Sequence, residues 1–180
     1  MKNGSAGYSS SDGSGFCSKE RPTMFETLMK YGGYRIDYIN RNIARTPDAF
    51  GFYVRGDLPH NAAYSAVAKR HLVAGLDVIQ REIGRNHLVA VYLDVIAHSS
   101  RQPAAYQQLL QDLRSGLFRR VFVYQSLDLF ANADVRGDLE NLTGEVDEIE
   151  IVFYDAGFLE KMILSKSSLL LMCDCERALE

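Results

Sequence analysis

Five residues of this chain stand where chemistry is often done. Arg55 and Asp57 end the apolar run in "FGFYVRGDLPHN" (Phe50 to Asn61), and Asp94, Asp128 and Asp155 close or follow later runs. Carboxylates at such places can hold a divalent cation, move a proton or attack an electrophile, and an arginine beside them can steady a phosphoryl oxygen. An acidic residue after a strand also caps the next helix or solvates a loop, so each aspartate alone is a weak signal. A cation site built from Asp57, Asp94 and Asp128 lacks an identifiable Lys or Ser/Thr partner, and neither a metal nor another cofactor is expected. His60, His71, His87 and His98 are scattered, with no nucleophile at a recognisable spacing.

The elements that must position these residues follow from the apolar pattern. From residue 48 onward, short and nearly continuous apolar runs ("AFGFYV", "HLVAVYL", "RVFVYQSL", "IEIVFYD") alternate with helical stretches. The first helix is expected from Asn61 to Ile83 and the second after Pro103, where Tyr106, Leu109, Leu110 and Leu113 share one face before Gly116. A third lies within "ADVRGDLENLTG" and a last one begins near Gly157. Buried strands separated by amphipathic helices imply an α/β, three-layer sandwich with a mostly parallel sheet, whose ligands bind at the C-terminal strand ends.

Residues 1–20 are rich in Gly and Ser and are expected to be disordered. Residues 21–47 form an amphipathic arm: Thr23 and Glu26 have capping-box spacing before a short helix, and "YRIDYIN" alternates as a strand does, although its isoleucines also allow a helix. The arm docks on its own body or on a neighbour. Residues 48–180 form the body.

The net charge of -3 is unevenly spread: residues 1–47 carry 7 Lys/Arg against 4 Asp/Glu, the remainder 13 against 19. An acidic body argues against a broad phosphate-gripping surface. Cys17, Cys173 and Cys175 make an odd set without a disulfide framework, which fits a reducing cytoplasm. The N-terminus has no apolar signal core, and "SLLLMC" is far shorter than the ~20 residues of a membrane span.

Taken together, "FYVRGD", "VAVYLDVIAHSS" and "QPAAYQQLLQDLRSGLFRRVFVYQSLDLFAN" resemble the catalytic domain of serine recombinases, the resolvase and invertase family, over about residues 49–155. The resemblance implies attack of a serine hydroxyl on a DNA phosphate held by arginines. Residue by residue, Arg55 falls on the family's first arginine and Asp94 on its second-strand aspartate. Asp57 replaces the nucleophilic serine, Asp128 and Ala131 replace two phosphate-binding arginines, and Gln125 replaces a basic residue. Arg101 lies near another arginine of the pattern, across a loop of different length, and Ser99 and Ser100 sit after the wrong strand to substitute. At an effective dielectric of ~20, like charges ~4 Å apart repel by roughly 4 kcal/mol, so acidic replacements oppose a phosphate.

The expectation is a degenerate, inactive recombinase-like domain that works through protein contact and self-assembly, as dimer or tetramer. Its interface would lie on the last helix, at Phe158, Met162, Ile163 and Leu169, and the arm can take a protein partner. The alternative is an accessory DNA-binding role through the arm, with Arg35, Arg41 and Arg45 as contacts.

Overall fold

The structure is a computed structural model that describes residues 23–58, 65–97, 103–130, 133–155 and 157–165; within these, residues 127, 128, 133–136, 140 and 155 are described by backbone alone. Helix α1 (Met24–Tyr31) begins with the expected capping box: Glu26 N–H donates to Thr23 Oγ1 at 3.2 Å, and Thr23 N–H to Glu26 Oε2 at 2.9 Å. Gly32, with φ 76°, ends it; its N–H donates to the Leu28 carbonyl. The chain then enters β1 (Gly33–Tyr38).

Five further strands follow: β2 (Phe50–Asp57), β3 (Leu88–Ile96), β4 (Arg120–Val123), β5 (Glu148–Asp155) and β6 (Phe158–Ser165). They form one six-stranded sheet in the order β1-β3-β2-β4-β5-β6. The four central strands are parallel, and both edge strands, β1 on β3 and β6 on β5, are antiparallel. The arm strand therefore docks on its own body, one of the two options its sequence left open.

Helix α2 (Ala66–Val78) joins β2 to β3 and runs into a wide turn, Ile79–Ile83, in which Gly84 N–H reaches the Ile79 carbonyl five residues back. Of the helix expected over 61–83, residues 61–64 lie outside the described ones. The remaining helices are α3 (Ala104–Arg114), α4 (Ser126–Phe130) and α5 (Ala133–Glu145). Strand alternation divides the core between two faces. Phe50, Phe52, Val54, Val91 and Leu93 pack with α1 and α2, whereas Tyr53, Tyr92, Val121 and Ile151 pack with α3, α4 and α5. Tyr106, Leu109, Leu110 and Leu113 are all buried, as their spacing requires.

One element differs in kind. The segment expected to be the last helix is the edge strand β6. Asp155 pairs with Phe158 across a reversal containing Gly157 at φ 92°, the first of eight residue pairs without a register shift. Leu159 and Leu164 pack inward, while Phe158, Met162 and Ile163 are exposed. Free edge on β5 outweighed a spacing that also fits a helical stripe. No described helix is long and apolar enough to cross a membrane.

Candidate functional site

The connections out of β2 and β3 run in opposite directions across the sheet, since β3 lies on one side of β2 and β4 on the other. Such a reversal opens a crevice at the C-terminal strand ends, the usual place for a ligand in an open α/β sheet. Arg55 and Asp57 arrive there on β2. Two residues apart on one strand, they share a face, and Arg55 Nη2 lies 3.6 Å from Asp57 Oδ1. The arginine side chain is mostly covered, whereas the aspartate is 72% exposed. The Asp57 carbonyl accepts from Ser65 Oγ at 3.2 Å, which ties the end of β2 to the start of α2. Gly56 between them permits close approach: a Cβ there would stand 2.3 Å from that of Ala68.

Asp94 has a different office. It is 2% exposed, and its carboxylate accepts the N–H groups of Ala105 at 3.0 Å and Tyr106 at 2.9 Å, plus the Tyr53 hydroxyl at 3.3 Å. Helix α3 begins after Pro103, which supplies no side-chain cap, so Asp94 caps it from the neighbouring strand. Burial pushes the Asp94 carboxyl above its ordinary pKa, and the two backbone N–H groups, Tyr53 and Arg55 pull the other way. Asp57 and Asp94 thus serve separate contacts. The side chains of Asp128 and Asp155, and Ser99, Ser100, Arg101, His60 and His98, lie outside the described residues. Among those described, no three His, Cys, Asp or Glu side chains gather as a cation site.

Beside these carboxylates the strand ends are aromatic. Tyr124, just after β4, stacks on Tyr154 of β5 with 6.1 Å between ring centres and meets the ring of buried His71 at 5.4 Å. Sequence spacing does not bring these three together, because they come from three separate elements. A second missed group is Asp112 on α3. Both the Tyr38 and Tyr92 hydroxyls donate to its Oδ2, and Gln108 Nε2 donates to Oδ1 at 3.0 Å. One signal was available: Asp112 lies seven residues after Ala105 and three before Ser115, on the buried side of an otherwise apolar helix face.

The arm arginines do not form one basic stripe. Arg35 Nε lies 2.6 Å from Asp37 Oδ2, the Arg41 guanidinium covers the Tyr38 ring at 3.9 Å, and Arg45 sits in a turn at φ 69° with its N–H on the Leu117 carbonyl. Of the expected interface residues, Phe158, Met162 and Ile163 line the outer strand β6, and Leu169 is outside the described residues. Phe158 is 72% and Ile163 54% exposed.

Comparison with protein-family models, with curated proteins and with solved structures found no match.

Proposed function

We propose that this chain is a catalytically silent, serine-recombinase-like module that acts by protein contact, assembling with copies of itself as a scaffold or regulator. The observation that carries this reading is β6: an eight-residue edge strand, unbroken in register, that leaves Phe158 and Met162 exposed on one face and Ile163 on the other. Among the described residues no strand pairs with its outer side, and an edge with unpaired backbone groups is a template for another strand. The loss of phosphoryl chemistry is supported by the Arg55–Asp57 pair, in which the arginine that would meet a phosphate oxygen meets a carboxylate instead.

Sedimentation over a wide concentration range tests the assembly. Association that is lost in Ile163→Lys, with the circular dichroism unchanged, is the expected result; a monomer at every concentration overturns it. A low-salt DNA gel shift, with half of each sample treated with SDS, tests the silence. An SDS-resistant adduct overturns that part. The alternative, DNA contact through Arg35, Arg41 and Arg45, has less support because Arg35 is already paired. A salt-sensitive shift that disappears on replacing these arginines would establish it.

A further inference from the structure

A cavity of about 480 Å³ opens at the end of the sheet where β1 and β3 meet, away from the exposed edge of β6. That volume lies in the range of small-molecule sites, roughly 300–1,000 Å³. Its walls come from three sources. Met24 and Leu28 come from α1, Gly32 and Gly33 from the turn into β1, and Val95, Ile96, Pro103 and Ala104 from the end of β3 and the start of α3. Gly32 is required there: with φ 76°, a side chain would be strained, and its Cβ would stand 2.9 Å from that of Ala97. The lining is mainly apolar, with the hydroxyl-bearing Thr27 and Tyr34 among it, and is held by the packing of α1 against the sheet.

Two charged residues are among those lining this space, Asp94 and Arg35. Arg35 is paired with Asp37 at 2.6 Å, which offsets its charge. Asp94 is buried and fixed by its three donors, one on Oδ1 and two on Oδ2. A carboxylate offers about four acceptor positions. Among the described residues no donor takes the second position on Oδ1. A rigid acceptor in an apolar recess selects a ligand with a donor at one end and an apolar body.

We infer that this cleft binds a small amphipathic amine, its ammonium group against Asp94 and its apolar part between Leu28 and Pro103. The inference stands independently of self-assembly, since the cleft is at the opposite edge of the sheet from β6.

Phenethylamine is a suitable probe, with 3-phenylpropionate as its acidic counterpart, titrated into the full chain and followed by amide resonances. Saturable shifts at Gly32, Gly33 and Ala104 are expected with the amine, and binding of the acid at least tenfold weaker. Asp94→Asn retains a capping oxygen and should remove the preference for the amine. Ala104→Trp fills the cleft from an exposed rim position, leaves the Asp94 contacts in place, and should abolish binding of both. Absence of saturable shifts in the wild-type chain, equal affinity for amine and acid, or unchanged amine binding in Ala104→Trp would each overturn the assignment.

Discussion

Tyr38 of β1 and Tyr92 of β3 stand edge to face, 6.4 Å between ring centres at 77°, and direct their hydroxyls to the same oxygen of Asp112 on α3. One carboxylate thereby fastens an edge strand, an inner strand and a helix. Removing it strands a hydroxyl in the core, since Tyr92 is fully buried. Asp112→Ala should cost about 1–3 kcal/mol in urea unfolding, and Tyr38→Phe, nearer the rim, about 0.5–1.5 kcal/mol. Equal stability of Asp112→Ala and wild type would refute the network's role.

The cap supplied by Asp94 makes a second prediction. Asp94→Ala leaves two N–H groups at the start of α3 without their acceptor and should destabilise the fold by about 1–3 kcal/mol. Asp94→Asn keeps an oxygen in place and should cost distinctly less. Thermal unfolding of the two variants side by side distinguishes a capping role from simple loss of charge.

Glu150 governs acid behaviour at the β6 edge. Burial works to raise its pKa, but hydrogen bonds from Lys161 at 3.0 Å and Arg120 at 2.8 Å outweigh it and hold the carboxyl below the ordinary glutamate range. A depressed folded value means that the stabilisation is complete above the unfolded pKa, near ~4.3, and is lost as pH falls through the lower folded value. Urea midpoints measured at stepwise acid pH should fall less steeply in Glu150→Gln than in wild type.

At the alkaline end the sign reverses. Burial, ahead of nearby carboxylates, raises the hydroxyl pKa values of Tyr53, Tyr92 and Tyr106 above the ordinary tyrosine value. Their contribution is whole below the unfolded pKa of ~10 and is lost as pH rises toward the folded values. Tyrosinate absorbance of this group should therefore appear together with the loss of far-ultraviolet circular dichroism; full tyrosine ionisation in a still folded chain would contradict it.

Two glycines should respond oppositely to alanine. Gly56→Ala drives a Cβ into the backbone and side chain of Ala68, so α2 must move, at about 1–3 kcal/mol. At Gly137, inside α5, a Cβ would meet nothing within 4 Å, and Gly137→Ala should gain about 0.5–1 kcal/mol. Paired thermal melts check both.

Local signals in the sequence carried far. Thr23 and Glu26 announced α1, and the apolar face of Tyr106, Leu109, Leu110 and Leu113 announced α3, because capping and helical periodicity act within a few residues. "FLEKMILS" satisfies helical spacing at Phe158, Leu159, Met162 and Ile163, and only pairing with β5, which the segment does not itself encode, decides for a strand. Within the site, the placing of Arg55, Asp57 and Asp94 at strand ends was legible. What each carboxylate touches was not: the Asp94 cap spans a loop, and the Asp112 network joins residues 74 apart in sequence.

The antiparallel edges also differ in when they can form. β6 folds back on β5 through a short reversal, so those strands meet as soon as both exist. Gly33 of β1 pairs with Val95, far along the chain. At ~5–20 residues per second of synthesis, β1 leaves the ribosome seconds before its partner strand is made. During that interval Tyr34, Ile36 and Tyr38 have no sheet to join, so the pairing of β1, the first of the described strands, is set by the synthesis of a distant segment.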